Sequence, residues 1–146
     1  MSVVYLVPLV ALFGFLYMFI RASWINKQSI GTPEMERISK LIANGAMSFL
    51  KAEYRVLAIF IVITTVLLGG LSLTDANSSP LIMLAFVVGA VFSGTAGFIG
   101  MRVATKANVR TANAARTSLS KALDISFAGG SVMGTGVVSL GLLGLS

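Results

Sequence analysis

The stretch from Pro80 to Arg116, PLIMLAFVVGAVFSGTAGFIGMRVATKANVRTANAAR, constrains the fold of this chain more than any other. Pro80 to Met101 is a run of 22 residues without a charge. At about 1.5 Å of rise per residue such a run makes roughly 33 Å of helix, enough to cross a hydrocarbon core of about 30 Å. Arg102, Lys106 and Arg110 then recur every four residues, with Asn113 one turn further on, and no proline or glycine interrupts the chain between Arg102 and Arg116. The spacing predicts one helix throughout: an apolar span that continues into water with its cations stacked on one face.

The remainder has the same character. Apolar residues make up 56% of the chain and charged residues 11%, with a mean hydropathy of +0.92, whereas soluble domains carry roughly 25% charged residues. An all-α integral membrane protein is expected. The 11 Lys and Arg against 5 Asp and Glu give a net charge of +6; basic residues gather in the cytoplasmic loops of membrane proteins for topological reasons, and no nucleic-acid motif accompanies them, so no nucleic-acid partner is expected. Cysteine and histidine are absent, which excludes disulfides, thiol nucleophiles, the usual zinc sites and histidine bases. The acids, Glu34, Glu36, Glu53, Asp75 and Asp124, are scattered, unlike the converging carboxylates of a self-contained metal-dependent hydrolase. No catalytic, cofactor-binding or metal-ligating residue is assigned.

In chain order, the uncharged run Val3 to Ile20 reads as a first span; it lacks the positive n-region and cleavage site of a secretory signal. Thr32-Pro33-Glu34-Met35-Glu36 is a helix start, with Thr32 as N-cap, Pro33 at the first helical position and two acids in the first turn. Met35, Ile38, Leu41, Ile42 and Phe49 follow a helical period, which predicts an amphipathic helix before the second span, with a bend or break at Asn44-Gly45. Val56 to Thr74 is the second span, and the turn through Asp75 to Pro80 makes it an antiparallel hairpin with the third, opened by Pro80. Thr117, Ser118 and Ser120 lead through a turn, and Ile125 to Ser146 forms the fourth span. The expected spans are therefore about 3–20, 56–74, 80–101 and 125–146. Segments 21–55 and 102–124 hold all the Lys and Arg, so both should be cytoplasmic, with the N-terminus outside.

Small residues line the last two spans. Gly89, Ser93 and Gly97 share a face of the third, with Ala90, Gly94, Gly100 and Ala104 beside or beyond them, and Gly130 and Gly134 repeat the spacing in the fourth. Helices in lipid associate through close backbone approach, which small residues permit. The alternative use of such a face, an ion path, conflicts with the lack of any ionisable side chain inside the four spans. The basic face of Arg102, Lys106, Arg110 and Arg116 has two readings as well: a topogenic segment at the lipid headgroups, or a holder of an anionic partner through charge-assisted hydrogen bonds.

The segment VGAVFSGTAGFIGMRVATKANVRTANAARTS, followed by GGSVMG at Gly129 to Gly134, closely resembles the N-terminal region of membrane-bound pyrophosphatases, pumps that couple pyrophosphate hydrolysis to proton or sodium transport. ERISKLIANGAMSFLKAEYRV, from Glu36 to Val56, resembles the approach to the second helix in the same family, and ATKANVRTA, from Ala104 to Ala112, is the specific core of the likeness. The resemblance covers nearly the whole chain in order. It implies a homodimer of many-helix subunits, with an inner ring that holds pyrophosphate, Mg2+ and, where required, K+, and outer helices that support it. This chain matches only the first four helices, which belong to the outer set. The family's aspartate-rich motifs, including the DVGADLVGKVE-type segment, have no counterpart here, so none of its catalytic residues carries over.

The expectation is thus the N-terminal four-helix portion of a pyrophosphate-energised ion pump, inactive alone, embedded in lipid of a bacterial or archaeal cell membrane. Its partners would be the remaining helices of the pump and a homodimer mate. The competing expectation is a small stand-alone membrane protein that oligomerises or regulates a partner through its glycine faces.

Overall fold

A computed structural model describes residues 6–74, 79 and 81–145 of the chain. They form four helices, α1 (Leu6–Asn26), α2 (Pro33–Thr74), α3 (Leu81–Ala115) and α4 (Leu119–Leu145), with no strand among the described residues. Each is long and apolar enough to cross a membrane. Residues 1–5, 75–78, 80 and 146 lie outside the described residues, and with them most of the turn expected between the second and third spans and the expected role of Pro80 in opening α3.

Capping residues set the helix starts. Thr32 Oγ1 accepts the Met35 N–H at 3.3 Å and Thr32 O accepts the Glu36 N–H at 3.1 Å, the two bonds expected of an N-cap. The first turn of α2 adds two exposed ion pairs, Arg37–Glu34 at 2.6 Å and Lys40–Glu36 at 2.7 Å. Hydrogen bonds from Arg37 and Lys40 hold both carboxyls below the usual carboxylate range. Ser118 does for α4 what Thr32 does for α2: its Oγ accepts the Lys121 N–H at 3.3 Å and its carbonyl the Ala122 N–H at 3.1 Å. Helix α4 therefore starts six positions before its uncharged run begins at Ile125, and only Arg116 to Ser118 connect it to α3.

Two other boundaries differ from the sequence expectation. Helix α1 continues past Ile20 to Asn26, and Arg21 stays within it with its guanidinium 5.0 Å from the Trp24 ring centroid. The expected break at Asn44-Gly45 does not occur, so the amphipathic segment and the second span are one 42-residue helix. A single glycine costs a helix about 1 kcal/mol relative to alanine, and the residues after Gly45 supply neither a cap nor a proline to exploit it.

The four helices pack as an irregular row in the order α1, α4, α3, α2. Helix α4 lies between α1 and α3, α1 also touches α3, and among the described residues α2 touches α3 alone. Neighbours in the row run antiparallel: Gly14 faces Ser139, Gly100 faces Met133, and Gly69 faces Met83. The end of α1, the start of α2, the end of α3 and the start of α4 consequently gather at one end of the bundle, which brings segments 21–55 and 102–124 together.

The core is small in both senses. Met18, Ile25, Ala107, Ala128 and Val132 form its centre, with Phe15, Trp24, Ile99 and Val103 against it. A second cluster of Ala114, Ala122 and Ile125 continues it towards the basic end, and Trp24 packs against both. Alanine at the helix crossings lets backbones approach closely, which is how helices gain contact in a solvent as apolar as their own side chains. The outer faces carry Phe13, Phe19, Val62 and Leu67, each more than 60% exposed. That surface suits lipid or further helices and not water.

Candidate functional site

Helix α3 does run unbroken from its apolar half into its basic half, ending at Ala115, but its cations do not share one fate. Arg102 and Lys106 are exposed, and Arg102 lies over the Phe98 ring one turn back, 5.5 Å from its centroid. Arg110 is only 8% exposed. Its guanidinium is fixed by three carbonyls: Nε donates to Gln28 O at 3.1 Å, Nη2 to Asn26 O at 3.4 Å and Nη1 to Lys106 O at 2.8 Å. Helix α1 ends at Asn26 with carbonyls that have no intrahelical partner and with the negative end of its dipole. A guanidinium satisfies both needs. Asn113, one turn on, donates from Nδ2 to Ser29 O at 3.3 Å, and Arg116 reaches Met35 Sδ at 4.0 Å.

The connector that receives them is shaped by Gly31. Its φ of +98° belongs to glycine, and a Cβ there would meet Asn113 Oδ1 at 2.6 Å and Met35 Sδ at 2.7 Å. The peptide turns back at this point, so Asn113 of α3 can lie against it. Helix α1, the α1–α2 connector and the end of α3 are clasped into one unit by hydrogen bonds of high sequence separation.

The small residues also divide. Gly97 lies near Tyr54 of α2, with the phenol oxygen 3.3 Å from where its Cβ would stand, and the Tyr54 hydroxyl donates to Gly94 O. At Gly89, Gly130 and Gly134 an added Cβ would meet nothing within 4 Å, and Ser93 is exposed. The close approaches inside the chain fall elsewhere: Gly14 against Ser139, Gly100 against Met133, Gly129 against Ala107 and Gly136 against Met18. On α4 the buried positions Ala122, Ile125, Gly129, Val132, Gly136 and Ser139, with Ala128 beside them, follow alternating steps of three and four. A strict step of four drifts about 40° per turn around a helix of 3.6 residues per turn, whereas alternation keeps to one face.

The Tyr54 hydroxyl is the main polar tie between α2 and the rest of the bundle. Tyr54→Phe is expected to lower stability by about 1 kcal/mol, measured as the midpoint of detergent-solubilised unfolding. Tyr17→Phe, at an exposed position of α1, should leave it unchanged.

The described residues do not fit a magnesium site. No three carboxylates or other metal-ligating side chains approach one another among them, and Glu34 and Glu36 are each engaged by a neighbouring cation.

A family model described as inorganic H+ pyrophosphatase matches residues 12–146. The putative K(+)-stimulated pyrophosphate-energized sodium pump of Clostridium tetani is 47% identical over 126 residues, which cover 86% of this chain and 18% of that protein. The K(+)-insensitive pyrophosphate-energized proton pump of Methanosarcina mazei is 38% identical over 143 residues, covering 98% of this chain and 21% of its own length. The K(+)-stimulated pyrophosphate-energized sodium pump of Thermotoga maritima is 41% identical over 143 residues, with 97% of this chain and 18% of its own length covered. The chain thus spans about a fifth of the length of the curated relatives it matches.

Proposed function

We propose, from the premise that this chain belongs to the inorganic H+ pyrophosphatase family, that its four helices are the outer scaffold of a pyrophosphate-energised ion pump. It is an integral membrane protein. In this reading pyrophosphate hydrolysis and H+ or Na+ translocation are carried by helices other than these four, and Mg2+, with K+ where the pump needs it, is held by residues outside this chain. A homodimer of such pumps, in a bacterial or archaeal cell membrane, would place segments 21–55 and 102–124 in the cytoplasm and the N-terminus outside.

The observation that carries the reading is the open, uncharged outer surface. Little of the apolar stretches of α3 and α2 is buried within the chain, and Gly89, Ser93, Gly130 and Gly134 are exposed along open grooves between the helices, with room beside the three glycines that the four helices do not fill. Small residues along an open groove on the surface of a span suit close docking of further helices. Arg102, Lys106 and Arg116, exposed beyond the apolar run, suit acidic surfaces or headgroups at the same end, while Arg110 serves the scaffold itself.

The reconstituted 146-residue chain, given Mg2+ and pyrophosphate in lipid vesicles, is expected to release no phosphate above the vesicle background. Co-reconstituted with the Clostridium tetani relative lacking its matching 126 residues, it should restore hydrolysis that neither part shows alone. Turnover by the chain by itself would overturn the scaffold role.

A further inference from the structure

Between the end of α1, the end of α3 and the start of α4 lies a cavity of about 290 Å3. Arg110, Arg116 and Lys121 line it together with Gln28, Ser29 and Asn113, and no Asp or Glu is among the lining residues. The ion pairs of the described residues are Arg37–Glu34 and Lys40–Glu36, so the three cations of the cavity converge without a carboxylate to offset them. Like charges held together this way repel, and an anion seated between them relieves the repulsion.

The donors are well suited to oxygen. Arg110 is immobilised by its three carbonyl bonds, and since a guanidinium carries five N–H groups, two remain. Arg116 and Lys121 are exposed and line the same cavity, Arg116 with its Nη1 4.0 Å from Met35 Sδ and neither in an ion pair among the described residues. Lys121 sits in the first turn of α4, where the capped helix start adds the positive end of its dipole. Ile125, at the start of the uncharged run of α4, lines the same cavity, which puts the cavity at the edge of the apolar layer. Its volume accommodates a phosphate group with several waters, each taking about 30 Å3.

We propose that this cavity binds a phosphate oxyanion, presented by an anionic phospholipid headgroup or as free inorganic phosphate. Basic pockets between membrane helices near the headgroup level are suited to such ligands, and the forked guanidinium groups match phosphate oxygens. The site uses residues of this chain alone and stands whether or not the scaffold role holds.

The single tryptophan offers the readout, since Trp24 packs against the cluster that contributes Ala114 and Ile125 to the cavity wall. The chain in neutral detergent is titrated at fixed ionic strength with inorganic phosphate, and separately with phosphatidylglycerol against phosphatidylcholine. A saturable change of Trp24 emission with one anion per chain is expected from at least one titrant. Phosphatidylglycerol alone identifies the headgroup as the source, phosphate alone identifies the free anion, and either result supports the site. R116Q/K121Q should weaken binding by about tenfold or more, as loss of two charge-assisted contacts requires. The charge-conserving R116K/K121R should retain it, and K51Q/R55Q, which removes as much charge from α2, should not alter it. The proposal fails if neither anion gives saturation, if R116Q/K121Q binds as the unmodified chain does, or if K51Q/R55Q loses as much as R116Q/K121Q.

Discussion

Replacing Arg110 with methionine is expected to destabilise the helix bundle by about 2 kcal/mol, since hydrogen bonds to a charged group contribute roughly 1.5–3 kcal/mol. Methionine keeps most of the aliphatic volume of arginine, so the change isolates the guanidinium. What it removes are the donors to Asn26 O at the end of α1, to Gln28 O in the connector that follows and to Lys106 O one turn back on α3. Water entering the neighbouring cavity can replace some of this bonding, which places the expected value low in the range. Arg110→Lys should fall between, because an ammonium keeps the charge but cannot span the Asn26 and Gln28 carbonyls with a planar fork. The comparison that decides is Arg102→Met, two turns earlier on the same helix and exposed, which should move stability by no more than about 0.5 kcal/mol. Thermal or denaturant midpoints of the purified chain in detergent give all three values. Equal losses at positions 102 and 110 would show that net charge, and not the clasp on α1, is what the stripe contributes.

Gly129→Leu should be costly for the opposite reason. A Cβ built at Gly129 stands 3.0 Å from the Ala107 Cβ, and an alanine methyl cannot rotate away, so α3 and α4 must separate along their most extensive contact. Overpacking of a close helix crossing costs about 1–3 kcal/mol, and the upper end is expected because Ala107, Ala128 and Val132 beside it are buried. Gly129→Ala should lose less, and Ala107→Gly combined with it should restore part of the loss, a coupling readable in a double-mutant cycle. Gly130→Leu, one position away with nothing within 4 Å of its added Cβ, should leave the stability of this chain alone unchanged. The same midpoint measurements separate the two neighbours.

The number of spans and their helical type were legible in the sequence because lipid imposes a requirement that composition records directly: long uncharged runs. Their boundaries were not, because an apolar run marks where lipid begins and a helix ends where its hydrogen bonding does. Thr32 carries the second kind of information in its N-cap pattern; Ser118 carries it too, and its cap starts α4 before the apolar run. The basic stripe shows the limit most clearly. Arg102 and Arg110 are equivalent by spacing, and what distinguishes them is the end of α1, 84 residues away from Arg110 in sequence. Local pattern cannot see that distance. The glycines taught a narrower lesson: a step of four picked out Gly130 and Gly134, while the crossings within the chain use Gly129 and Gly136, which the alternation of three and four through Val132 and Ser139 would have found.

The row order α1, α4, α3, α2 has a consequence for how the protein comes into being. Helix α1, the earliest of the four to leave the ribosome, has its principal neighbour in α4, the latest. The α2–α3 hairpin can pair as soon as it is inserted, at low loop-closure cost, but α1 must remain a lone span in lipid until α4 arrives beside it. Arg110 shortens that wait. It is synthesised before α4, and its grip on the end of α1 can tether the two parts before the site between them is filled. A clasp of this kind acts as an assembly guide during biogenesis, so its loss should reduce the yield of inserted protein by more than its equilibrium effect on the finished bundle accounts for.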